Sequence, residues 1–131
     1  MAARIIARPT AAELAILRVL WERGPSTVRD VHDRLGNDTG YTTVLKLMQI
    51  MAEKGLACRD EAQRAHVYSA RLPQEHTQRQ LAADLVHRAF GGSASGFLMQ
   101  LLHSGTTSTE EIAELRRLLD EYEAARKERG A

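Results

Sequence analysis

Cysteine is almost missing from this sequence of 131 residues, in which Cys58 stands alone. A disulfide within one chain and a multi-cysteine zinc site are thereby excluded, and a reducing, cytoplasmic setting is expected. Aromatic residues amount to 5%, too few for the stacking platforms that bind single-stranded nucleic acid. No apolar run approaches the ~18 residues of a membrane span. Phe97-Leu98-Met99 and Leu101-Leu102 are split by Gln100 and closed by His103. Near the start, Ile5-Ile6-Ala7 is too short for the apolar region of a signal peptide, so no membrane insertion is expected. Three prolines and nine glycines are too few to keep the chain unfolded. Charge of one sign is missing as well: 18 Lys plus Arg meet 17 Asp plus Glu, for a net +1.

Patterns that carry catalysis or bind metals are equally scarce. His32, His66, His76, His87 and His103 show neither HxxxH nor HExxH spacing. There is no Gly-rich phosphate loop, no Gly-x-Ser-x-Gly elbow and no pair of carboxylates that can be placed in one cleft. The expectation is a binding protein and not an enzyme, with no metal and no cofactor.

What is present is helical punctuation. Thr10-x-x-Glu13 is a capping-box pattern behind Pro9, followed by Leu14, Leu17, Val19-Leu20 and Trp21 up to Gly24-Pro25, which predicts a helix over about 10–23. Ser26 or Thr27 can cap a short helix over about 27–35, with Val28, Val31 and Leu35 on one stripe and a stop at Gly36-Asn37. After a polar turn, Val44, Leu47, Met48 and Met51 recur at i, i+3, i+4 and i+7, and Gly55 closes a third helix over 41–54. The period then changes. Residues 56–60 and 65–70 flank the charged turn Glu61-Ala62-Gln63-Arg64, as in a hairpin.

Pro73 opens a further helix to Phe90, carrying Leu81, Leu85 and Ala89 on one stripe and broken by Gly91-Gly92. Residues 93–103 form a short apolar helix, and Ser108-x-x-Glu111 is another capping box, leading a last helix.

Helix, short helix, tight turn, helix and hairpin is the order of a winged helix-turn-helix, whose third helix enters the major groove of DNA. With its apolar stripe turned inward, that helix leaves Thr42, Thr43, Lys46, Gln49, Ile50 and Glu53 outside. Short hydroxyls, an amide and a lysine suit base edges and phosphate. Tyr41 and Thr42 stand at the helix N-terminus, where backbone N–H groups favour phosphate. Thr27 and Arg29 open the second helix beside it, and Arg59, Gln63, Arg64 and His66 supply the wing. The expected fold is therefore mainly α, an α+β winged helix-turn-helix over 1–72, with a C-terminal helical dimerisation region over 73–131. A winged-helix module that binds proteins and not DNA is the alternative.

The tail supports dimerisation on its own. Leu85, Phe90, Phe97, Leu98, Leu101, Leu102, Ile112, Leu115, Leu118, Leu119 and Tyr122 make more apolar surface than three helices beside a small domain can bury among themselves. Two-fold association removes it from water. Charge divides along the same line: 1–72 holds 11 basic and 8 acidic side chains, and 73–131 holds 7 and 9. A mildly basic head beside an acidic tail fits a protein whose head meets phosphate.

Several stretches also match a known family: Pro9 to Leu17 running on to Leu20-Trp21, Thr27 to Val31, Gly40-Tyr41-Thr42-Thr43-Val44-Leu45, Met51 to Leu56, and Phe90-Gly91-Gly92-Ser93 before an apolar helix. The sequence resembles the BlaI/MecI/CopY family of penicillinase-type repressors over about 9–122. The resemblance implies a dimeric winged-helix repressor on a palindromic operator in double-stranded DNA. In the antibiotic-responsive branch a membrane sensor protease system triggers cleavage in the apolar helix; the matching bond is Gln100–Leu101, where that branch carries Asn-Phe. The copper-responsive branch ends in Cys-x-Cys pairs, which residues 126–131 lack, so copper sensing is not expected.

Overall fold

The computed structural model describes residues 8–36, 38–62 and 64–130. Asn37 and Gln63, expected in turns, and residues 1–7, read above for a signal peptide, lie outside the described residues. The elements are α1 (Ala11–Arg23), α2 (Val28–Leu35), α3 (Tyr41–Lys54), β1 (Ala57–Asp60), β2 (Val67–Ala70), α4 (Gln74–Phe90), α5 (Ala94–His103) and α6 (Thr109–Glu128). This is a mainly helical winged helix with a two-stranded antiparallel sheet.

Local chemistry explains the boundaries. Thr10 and Glu13 close a reciprocal capping box on α1, and Thr27 and Asp30 close one on α2. At α6 the Ser108 hydroxyl accepts the Glu111 N–H, one half of the expected box. Helix α3 ends at Gly55, whose φ of 84° is left-handed and whose missing Cβ would stand 3.1 Å from Arg71 Nη1, so two constraints meet at one glycine.

The hairpin pairs Ala57 with Ala70, Cys58 with Ser69, Arg59 with Tyr68 and Asp60 with Val67. A single residue before α2 joins it: Ser26 exchanges both backbone hydrogen bonds with Tyr68, at 2.9 and 2.7 Å. That bridge ties the α1–α2 connection to the wing.

One core holds the first part together. Ile16, Leu17, Val19 and Leu20 of α1, Val28 and Val31 of α2, and Val44, Met48 and Met51 of α3 close on Leu56, Ala57 and Tyr68. Leu47, expected in the core, is half-buried against it, and Ile50, expected outside, is half-buried too. By contact the chain divides into two compact units, Met1–Ala82 and Ala83–Ala131. This division by contact falls inside α4, whose start packs with the winged unit. Trp21 Nε1 donates to the Leu72 carbonyl at 3.0 Å, and Thr77 is buried.

In the second unit, Phe90 meets Phe97 edge to face at 5.5 Å, and Ser93 caps α5 by accepting the Gly96 N–H. No residue of α5 or α6 is buried. An exposed ion-pair set on α6 joins Arg117 to Glu114 and Glu121.

Candidate nucleic-acid interface and an apolar helical face

The polar face of α3 is open. Thr42, Thr43, Lys46, Gln49 and Glu53 are exposed, and Tyr41 is 39% exposed at the first turn. Gly40, the N-cap, contributes no side-chain hydrogen bond, so the first N–H groups of α3 have no side-chain cap. Such a terminus favours an anion.

Beside this face lies a groove of about 350 Å³ that gathers six of the expected residues: Thr27, Arg29, Tyr41, Gln49, Arg64 and His66. Its floor includes Val28, Leu45 and Tyr68. The Arg29 guanidinium sits 5.0 Å above the Tyr41 ring, a cation–π contact that holds the ring and the charge at one edge of the groove. His32 meets the same ring edge-on at 5.8 Å. Sequence spacing carried a signal for this residue, since Arg29 and His32 are three apart on α2 and share a face.

An acidic side chain beside the groove is neutralised. Asp30 Oδ2 accepts the Thr27 N–H at 3.1 Å and lies 3.3 Å from Arg23 Nη1. The Thr27 backbone bond, aided by the Thr27 side chain and Arg23, holds the Asp30 carboxyl below its usual range. Thr42, Thr43 and Lys46 stand on the open face of α3 and do not line the groove.

Arg59 is placed differently from the other wing residues. It lines a separate depression with Gln49, Glu53, Cys58, Glu61 and Arg71. Its guanidinium lies 2.8 Å from Glu61 Oε2, and Tyr68, its partner across the ladder, together with Glu61 raises its pKa. Among the wing residues, Arg64 and His66 face the groove and Arg59 does not. At the wing turn, Asp60 Oδ1 accepts the Ala62 N–H at 2.9 Å.

A buried ionic contact of the winged unit lies outside the groove. Glu13 is only 2% exposed, and Lys54 Nζ stands 2.9 Å from both of its carboxylate oxygens. Burial pushes the Glu13 carboxyl up, but the bonds from Lys54 and from the Thr10 N–H outweigh it and hold the pKa below the usual value. Sequence reading assigned Glu13 to a cap alone, because Lys54 is 41 positions away.

In the second unit, most residues expected at a dimer interface are exposed apolar side chains. Leu85, Leu101, Leu102, Ile112, Leu118, Leu119 and Tyr122 are exposed, as is Met99; Phe90, Phe97, Leu98 and Leu115 are half-buried. Gln100 and Leu101, flanking the candidate cleavage bond, are both exposed and lie inside the formed helix α5. Among the described residues, no group of three or more His, Cys, Asp or Glu could hold a metal ion, and no helix is long and apolar enough to cross a membrane.

Comparison with known proteins gives four matches of note. The model of the penicillinase repressor family matches residues 9–121. The transcriptional regulator BlaI of Mycobacterium tuberculosis is 34% identical over 116 residues, covering 86% of this chain and 83% of that protein. The penicillinase repressor of Bacillus licheniformis is 22% identical over 119 residues, covering 89% of this chain and 93% of that one. Among solved structures, the transcriptional regulator Tm0710 from Thermotoga maritima aligns with 92% of this chain and 78% of its own, at 18% identity and a TM-score of 0.46. The family match runs from just before the cap of α1 into α6, and on that span the chain belongs to the penicillinase repressor family.

Proposed function

We propose that this protein is a cytoplasmic, homodimeric transcriptional repressor that binds a palindromic operator in double-stranded DNA, with 1–72 as the DNA-binding domain and 73–131 as the dimerisation region. It acts without cofactor, metal or catalysis of its own. The observation that carries the reading is the juxtaposition of the open α3 face with a groove lined by Arg29, Arg64 and His66. Thr42, Thr43, Lys46 and Gln49 read base edges, while Arg29, Arg64, His66 and the N-terminal turns of α2 and α3 hold phosphate. Arg59, exposed on the wing beside Glu61, meets the DNA backbone from its own side of the hairpin.

The apolar face of α4 to α6 is covered by a second copy. A two-fold dimer presents two α3 helices about 34–36 Å apart, one turn of DNA, which matches a palindrome. Loss of the dimer releases the operator, because each half-site alone binds far more weakly. A protease of a membrane sensor system acting at Gln100–Leu101 has to unwind α5 first. In a single protomer that unwinding is cheap, since α5 buries no residue.

Gel-shift titration of Lys46→Ala and Thr43→Ala against the DNA upstream of the protein's own coding region tests the reading. Each variant is expected to lose about five- to 100-fold in affinity. Unchanged binding in both overturns the assignment of α3. A steep loss of affinity with salt, at about −0.9 per phosphate contact, is expected of the unaltered protein; a flat response would favour the protein-binding alternative.

A further inference from the structure

We infer that the buried Glu13–Lys54 ion pair is a positioning device for α3: by fixing the rotation of that helix about its own axis, a carboxylate on α1 outside the groove determines how well the protein discriminates among DNA sequences. The inference rests on the DNA-binding reading of α3.

The two ends of α3 are held unequally. Its N-terminus has no side-chain cap, whereas Lys54, its last residue, is gripped by both oxygens of Glu13. Between them the buried contacts come from Val44, Met48 and Met51. Two of these three are methionines, unbranched and adaptable, so the apolar seam tolerates small rotations.

The ion pair does not. Glu13 Oε1 also accepts the Thr10 N–H at 2.9 Å as half of the α1 capping box, so the carboxylate cannot follow a moving Lys54 without uncapping α1. Its burial penalises any arrangement that leaves the charge unpaired. Glu13 is therefore fixed to one helix and fixes the other.

Geometry sets the sensitivity. With side chains reaching ~5–6 Å from the helix axis, a rotation of about 20° moves a side-chain tip by about 2 Å. Hydrogen bonds tolerate only about 0.5 Å. Lys46 and Gln49 share a continuous helix with Lys54, so releasing Lys54 blurs their aim at base edges. Long cationic side chains on phosphate absorb the same shift. Discrimination suffers, while general affinity for DNA does not.

The test uses the full chain and two probes: the duplex that the unaltered protein enriches most from a randomised pool, and a random-sequence duplex of equal length. Glu13→Gln/Lys54→Met removes both charges and leaves no lone buried ion. Its preference for the enriched duplex is expected to fall about tenfold, with affinity for the random duplex and the salt slope unchanged. Lys54→Arg, which offers the carboxylate a bidentate partner, is expected to keep the parental preference. Should the double variant fail to melt cooperatively, Lys54→Met alone releases α3 while the Glu13 carboxylate keeps the Thr10 N–H, and it gives the same readings.

An unchanged preference in the folded variant overturns the inference. So does a preference lost equally in Lys54→Arg. A salt slope reduced by about 0.9 also overturns it, since Lys54 is then a direct phosphate contact. If the unaltered protein enriches no duplex at all, the DNA-binding reading itself falls and takes this inference with it.

Discussion

Replacing Leu119 by Ala removes an apolar side chain from the proposed dimer face without touching the interior of a protomer. Leu119 is 61% exposed in the single chain, so about three-fifths of its surface is free to be covered by a partner. Full burial of a leucine is worth ~1.5–3 kcal/mol, which leaves about 1–2 kcal/mol per protomer and about 2–4 kcal/mol for a two-fold pair. The dimer dissociation constant is therefore expected to rise about 30- to 900-fold. Sedimentation velocity over a concentration series measures that shift. Unfolding is followed separately through Trp21, the single tryptophan, which lies in the winged unit against Leu72. Its transition is expected to stay where it is, because the substitution removes no packing within that unit. A dissociation constant within twofold of the parent, with folding intact, would refute the placement of the interface. A parent protein that stays monomeric at high concentration would refute the dimer itself.

Three further outcomes follow from other contacts. Gly55→Ala forces a left-handed residue to carry a Cβ and crowds Arg71, and is expected to cost about 1–2 kcal/mol in urea unfolding. Because the folded pKa of Glu13 lies below its ordinary value of 4.5, its contribution is fully present above about pH 4.5 and is lost as pH falls through the folded pKa. Glu13→Gln is thus expected to flatten the decline of the urea midpoint below pH 4.5, and a parallel decline in both proteins would contradict this. Arg29→Ala and Arg64→Ala, if each removes one phosphate contact, are expected to reduce the salt slope of DNA binding by about 1 apiece, read from titrations at several salt concentrations.

The parts of the fold that could be read in the sequence are those whose causes are local. Thr10 with Glu13 and Thr27 with Asp30 are three positions apart, and each pair marks the start of its helix. The inward stripe of α3 emerged from its period, although Leu47 and Ile50 proved half-buried at its flanks. Long-range contacts left no such trace. Ser26 pairs with Tyr68 through backbone atoms alone, so its side chain says nothing about the bridge. Arg59 is legible as a wing cation, but its place opposite Tyr68 and beside Glu61 depends on the strand register. The groove was legible as a set of residue types, because Thr27, Arg29, Tyr41, Arg64 and His66 sit at element starts and in the wing. That Arg29 stacks on Tyr41 required the packing of α2 against α3.

Among the described residues, every fully buried apolar side chain lies between Ile16 and Tyr68, and the last buried residue of any kind is Thr77. Domains fold as units during synthesis, N-terminal parts first, at about 5–20 residues per second. The winged unit therefore has its interior several seconds before α6 emerges from the ribosome. On the proposed function, a nascent chain gains its grip on DNA before it gains a partner, so the order of manufacture separates recognition from pairing in time. By the same logic, a head severed from its tail keeps its interior, and on the proposed function it persists as a folded, weakly binding competitor for half-sites until it is degraded.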